Sequence, residues 1–133
     1  MITTEQKQPR YLVHFLNGKQ EAWSDAPLAK GGQGTGFGPH ELLEASLACC
    51  INMWIRMQAD KLGITLGQID VTVTLKRDHP EEAVFDSEIK IGGSLTDADR
   101  TTLLTAAADC PVKRTLSKRL LFRNNSNPVA AIL

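Results

Sequence analysis

The chain has 133 residues, 42% hydrophobic and 23% charged, with 15 basic and 15 acidic side chains and no formal net charge. That composition fits one globular domain over 1–133 and excludes extensive disorder. Balanced charge and few aromatic residues leave no basic surface for nucleic acid. No window approaches the ~20 apolar residues of a membrane span. The start, "MITTEQKQPRYLVHF", lacks a basic stretch followed by an apolar run. The expectation is therefore a cytoplasmic protein that binds neither nucleic acid nor membrane.

The first predicted element is a β-hairpin in "YLVHFLNGKQEAWSD", where two short runs of strand-forming residues flank Asn17-Gly18, a strong signal for a tight turn. Glycines 31, 32, 34, 36 and 38 follow in "APLAKGGQGTGFGP". Such density suggests a phosphate cradle, but no Lys-Ser/Thr pair follows and no strand immediately precedes it, so a flexible or close-packed loop is the better reading.

Pro39 suits a first helical turn, good helix formers continue to Leu62, and Gly63 supplies the stop. On a wheel of 100° per residue, Leu43, Leu47, Trp54 and Met57 cluster about Cys50, placing it at the centre of an apolar stripe. Ile51, Ile55 and Leu62 widen that surface, while Glu41, Asn52, Arg56 and Asp60 hold a narrow polar sector. A helix apolar on so many sides needs more cover than one small sheet provides, and a second subunit is the simplest remedy.

Alternation in "QIDVTVTLKRD" and "AVFDSEIKIGG", joined by "HPEEA", predicts an antiparallel strand pair. "TDADRTTLLTAAAD" opens with a capping Thr96 or Asp97 and continues as an amphipathic helix. "CPVKRTLSKRL" predicts a short helix, and "RLLFRNNSNPVAAIL" has room for one or two strands about its Asn/Ser/Pro turn. The order ββ-α-ββ-α-α-β describes an antiparallel α+β domain, not a doubly wound parallel sheet.

Three cysteines do not make a stapling framework, and in a reducing compartment they are thiols unless oxidation is their function. No Cys-x-x-Cys or paired histidines suggest a metal, and no cofactor is implied. Cys110 precedes Pro111 at the predicted N-cap of a helix, where free amides, Lys113 and Arg114 favour a thiolate. Cys50 lies about three turns into its helix, so its activation must come from another segment. On residue type alone it reads as a small core hydrophobe, as does Cys49. His40 reads as a surface residue near the helix start.

"GPHELLEASLACCINMW", followed about sixty residues later by "CPVKRTLSK", resembles the OsmC/Ohr family, the osmotically inducible protein C and organic hydroperoxide resistance proteins. The shared pattern is a Pro-x-x-Leu helix start with a cysteine eleven residues after the proline, which selects Cys50 over Cys49, and a Cys-Pro-Val turn. The resemblance implies an OsmC-like fold in which sheets from two chains wrap long central helices in an intertwined homodimer. It implies a thiol peroxidase for organic hydroperoxides or hydrogen peroxide, without metal or flavin. In that scheme Cys50 attacks the peroxide and becomes a sulfenic acid, Cys110 resolves it as a disulfide, and a dithiol reductant reopens the bond.

Leu43, Leu47, Trp54 and Met57 are then candidate substrate-binding residues. Peroxidatic members carry glutamate directly after the motif proline and an arginine from the hairpin. This chain has His40 there, with Glu41 one place later, and its nearest hairpin cation is Lys19. His40 and Glu41 are the candidate partners of the thiol. A non-peroxidatic small-molecule binder or redox sensor on the same fold is the alternative.

Overall fold

Asn17 starts the first hairpin by serving as its brace. In the computed structural model, which describes residues 1–126, the Asn17 Oδ1 accepts the Lys19 and Gln20 amides at 2.9 and 2.8 Å. Gly18 takes φ +93°, with no positive φ at Asn17 or Lys19. Glycine alone at the first central position is the pattern of a type II′ turn, so the turn sits one residue later than an Asn-Gly centre would put it. It joins β2 (Val13–Leu16) to β3 (Glu21–Ser24) in antiparallel register, Leu16 opposite Glu21. A further strand, β1 (Thr3–Gln6), pairs with β2 and makes a three-stranded sheet. Its sequence, Thr-Thr-Glu-Gln, is polar throughout and exposed, so no apolar alternation announced it.

The glycine-rich loop is close-packed. Asp25, 4% exposed, directs its carboxylate at the loop and accepts the Ala26 amide at 2.8 Å, the Gln33 amide at 3.1 Å and the Thr35 hydroxyl at 2.9 Å. Amides that would cradle a phosphate are thus taken by a residue of the chain itself. Burial pushes the Asp25 carboxyl up, but donation from Thr35, Gln33 and Ala26 together outweighs it and holds the group below the ordinary carboxylate value. A Cβ on Gly32 would stand 1.9 Å from the Ala26 carbonyl oxygen, which requires glycine there.

The long helix α1 runs Pro39–Leu62, with Pro39 in its first turn and Gly63 at φ +68° closing it, the Gly63 amide returning to the carbonyls of Ala59 and Asp60. Leu47, Ile51, Ile55 and Ala59, four residues apart, form its buried line. The buried stripe is therefore centred nearer Ile51 than Cys50. Cys50 and Trp54 flank it half-buried, while Leu43 and Met57 are 43% and 56% exposed within this chain.

That line packs on an antiparallel pair, β4 (Ile69–Lys76) and β5 (Val84–Ile91), whose Ile69, Val73 and Ile91 point inward. The alternation in both strands is as the sequence predicts. Helix α2 (Asp97–Ala107) closes the core with Leu103 and Ala107, and Thr96 Oγ1 accepts the Asp99 amide at 3.0 Å as its cap. Helix α3 (Pro111–Leu116) follows directly. No strand forms over 119–126, where the terminal strands were expected to begin, and the rest of that expectation, 127–133, lies outside the described residues. Among the described residues the architecture is an α+β fold of two antiparallel sheets and three α-helices, with a short 3-10 turn at Leu28–Lys30. Among the described residues no helix is long and apolar enough to cross a membrane.

Candidate functional site

Ile51 turns into the core, so its neighbour Cys50 is rotated about 100° aside, to the edge where α1 meets the start of α3. There the α2–α3 connection delivers the second sulfur. Ala108 ends α2, and Cys110 adopts extended backbone before Pro111 begins α3. Cys110 is fully buried.

The Val112 amide donates to Cys50 Sγ at 3.4 Å, across 62 positions of sequence. Cys110 lies near enough to Cys50 for that sulfur to push its thiol up. All three cysteines are free thiols, Cys49 exposed on the outer side of α1.

The two sulfurs are not equivalent. Burial pushes the Cys110 thiol up, and although the Lys113 and Val112 amides pull the other way, the hydrogen bond to Cys50 and its charge push further up. Cys110 therefore holds its proton more tightly than an ordinary thiol. The expectation that the helix start ionises Cys110 is overturned: desolvation outweighs the local amides.

The two expected cations also turn elsewhere. Lys113 Nζ donates to the Ala108 carbonyl at 2.6 Å. The Arg114 guanidinium lies over the Trp54 ring, 5.6 Å from its centroid, with Nε 3.9 Å from Asp109.

Trp54, one turn beyond Cys50, joins all three helices. Its Nε1–H donates to the Ala106 carbonyl of α2 at 3.0 Å while Arg114 of α3 covers its face. Of the four apolar residues grouped around Cys50 by the wheel, it is thus a brace for the thiol pair. Leu47, 4% exposed, lines a cavity of about 660 Å³ that includes neither cysteine.

His40 and Glu41 are exposed at the helix start. Glu41 Oε1 accepts the Gly38 amide at 3.2 Å, closing the first turn. At ~1.5 Å of rise per residue, Glu41 is roughly 14 Å and His40 roughly 15 Å along the axis from Cys50 of the same chain. The fold thus joins Cys50 to Cys110 and leaves His40 and Glu41 apart from them within one chain. Val112 escaped notice because a backbone amide carries no residue signature. Its only trace was the Cys-Pro helix start, which fixes where free amides lie. Among the described residues no three His, Cys, Asp or Glu side chains stand together as metal ligands.

The family model described as OsmC-like protein matches residues 32–122, more than half of the chain and the whole of the thiol site. The chain belongs to the OsmC-like family. Solved structures agree in fold. A Psychrobacter arcticus 273-4 protein assigned to osmotic stress induction and detoxification response is 26% identical, with TM-score 0.72 over 86% of this chain and 88% of that one. The organic hydroperoxide resistance protein OsmC of Legionella pneumophila is 20% identical, TM-score 0.63, covering 88% of each chain. The organic hydroperoxide resistance protein OhrB of Bacillus subtilis is 20% identical, TM-score 0.61, covering 90% of each. No curated protein matches this OsmC-like chain.

Proposed function

We propose that this OsmC-like protein is a thiol-dependent peroxidase. The observation that carries the reading is the meeting of Cys50 with Cys110, with the Val112 amide donating to the Cys50 sulfur. Family relatives named for hydroperoxide resistance support it. The Cys50 thiolate attacks one oxygen of a hydroperoxide, the O–O bond breaks, and the departing alkoxide takes a proton to leave as alcohol, or water from hydrogen peroxide. Cys50 becomes a sulfenic acid. The Cys110 sulfur then attacks it, water departs with the Cys110 proton, and a disulfide forms. A dithiol reductant supplies two electrons and two protons to restore both thiols.

The working form is a homodimer. Leu43, Met53 and Met57 stay exposed on the outer side of α1. The apolar residues Ile2, Val13, Phe15 and Leu42 line an uncovered recess of about 480 Å³ between the first sheet and the start of α1. A second copy would cover both surfaces, and His40 and Glu41 are then available to the thiol site of the other chain. The test is turnover: reduced protein with cumene hydroperoxide or hydrogen peroxide should consume peroxide in step with a dithiol and give a Cys50–Cys110 crosslink on a non-reducing peptide map.

One observation favours a second reading, a redox sensor or small-molecule binder without rapid turnover. Among the described residues, Cys50 Sγ has no acid, base or cation as a hydrogen-bond partner, since Glu41 caps its own helix and Lys113 and Arg114 turn away. Stoichiometric oxidation that does not recycle with dithiol would decide for it.

A further inference from the structure

The cavity of about 660 Å³ lies between α1, β5, α2 and α3, and neither Cys50 nor Cys110 is among its lining residues. Leu47, Ile51, Phe85, Ile89, Leu104 and Leu116 give it an apolar wall. Its volume falls in the range of roughly 300–1,000 Å³ usual for small-molecule sites. Two charged residues reach its lining, Lys113 and Asp86. They differ in what remains free. Asp86 is paired with Lys76 across the strand pair. Lys113 makes no ion pair among the described residues. Its ammonium gives one hydrogen to the Ala108 carbonyl, itself part of the lining, which leaves two donors anchored at the wall.

An uncharged apolar guest would make no use of those donors at the exposed rim, and a cation would face like charge. A negative head with an apolar tail meets both demands. We propose that this cavity binds an amphiphile with one carboxylate and an unbranched hydrocarbon chain, a fatty acid in chemical class. Its carboxylate rests on Lys113 and its chain lies between α1, β5 and α2. The guest is held and not oxidised, because neither sulfur lines the cavity. The site therefore stands independently of the peroxidase reading.

The experiment is calorimetric titration of the reduced Cys50→Ser chain with laurate below its micelle concentration, beside dodecyltrimethylammonium as the cationic control. Laurate should bind saturably at one site per chain and the cation should not. Lys113→Met, a change at an exposed residue, should weaken laurate about ten- to a hundredfold, the loss of one charge-assisted contact. Ser87 sits on the inward side of β5 at the cavity wall, so Ser87→Trp should fill the space and abolish binding.

Absence of saturable binding overturns the proposal, as does equal binding of the cation or an unchanged affinity in Lys113→Met. Sedimentation run alongside gives the remaining outcome: if laurate binds only as a dimer splits into single chains, a second copy of the chain is the true occupant and the proposal fails. Should Ser87→Trp not fold by circular dichroism, the Lys113→Met comparison decides alone. Peroxide turnover of the unsubstituted protein is measured separately, so failure of either reading leaves the other standing.

Discussion

Val112 and Cys50, 62 positions apart in sequence, are joined by an amide-to-sulfur hydrogen bond of 3.4 Å. The donor belongs to the turn that also carries Cys110. The segment that brings the second thiol therefore also brings the dipole that steadies negative charge on the first.

From that pairing, the two cysteines should fail differently when replaced. Cys50→Ser is expected to abolish peroxide consumption. Cys110→Ser should still consume one equivalent and then stall as a sulfenic acid, detected by intact mass after dimedone labelling. Equal loss in both variants at the first equivalent would contradict the assignment of attacker and resolver.

Burial orders the thiols by access. In the folded protein, alkylation by iodoacetamide followed by peptide mapping should label exposed Cys49 before fully buried Cys110. Because the folded Cys110 thiol is raised above its ordinary value of 9.0, it binds its proton more tightly in the folded chain than in the unfolded one. Its contribution to stability is complete below that value and declines as pH rises through the folded one. Chemical denaturation of a Cys110→Ala variant should show a shallower alkaline decline than the parent.

Asp25 carries the opposite sign. Its folded carboxyl is lower than the ordinary value of 3.8, so its contribution is present above that value and is lost as pH falls through the folded one. Asp25→Ala should accelerate hydrogen exchange at the Gln33 and Thr35 amides at neutral pH, since both donate to this carboxylate. Unchanged exchange would mean that the glycine-rich loop holds itself without Asp25.

Leu103 is fully buried where α2 meets the core. Leu103→Ala should cost about 2–5 kcal/mol in urea unfolding, the range for a leucine cavity. Since α2 leads into the Cys110 turn, the same change should also quicken alkylation of Cys110.

Trp54→Phe keeps an aromatic face for Arg114 but removes the Nε1–H that donates to the Ala106 carbonyl. Because the Ala106 carbonyl still accepts the Asp109 amide at 3.0 Å, the expected loss is that of one hydrogen bond, about 0.5–1.5 kcal/mol. If α3 is thereby loosened, disulfide formation between Cys50 and Cys110, followed by quenched-flow mass analysis, should slow while the first oxidation step does not.

The elements legible in the sequence are those built by neighbours. Asn17-Gly18 marked its turn, Pro39 and Gly63 bounded α1, and the alternation of Ile69, Val71, Val73 and Leu75 marked β4. In each case the deciding force acts within a few residues. β1 was not legible, because Thr3–Gln6 is held by backbone pairing to β2 and offers no apolar period. The pairing of Cys50 with Cys110 was implied by the resemblance to the OsmC/Ohr family, and the family match covers both.

Sequence alone therefore determined the helix that holds Cys50, the turn that holds Cys110, and the α+β order of the elements. Only the tertiary structure decided that Ile51 and not Cys50 faces the core, that Arg114 goes to Trp54, that Lys113 goes to the cavity, and that burial pushes the Cys110 thiol up. Propensity and periodicity act along the chain. The charge state of a sulfur follows desolvation and dipoles arriving through space, here from a segment some sixty residues away, and no local pattern records where that segment will pack.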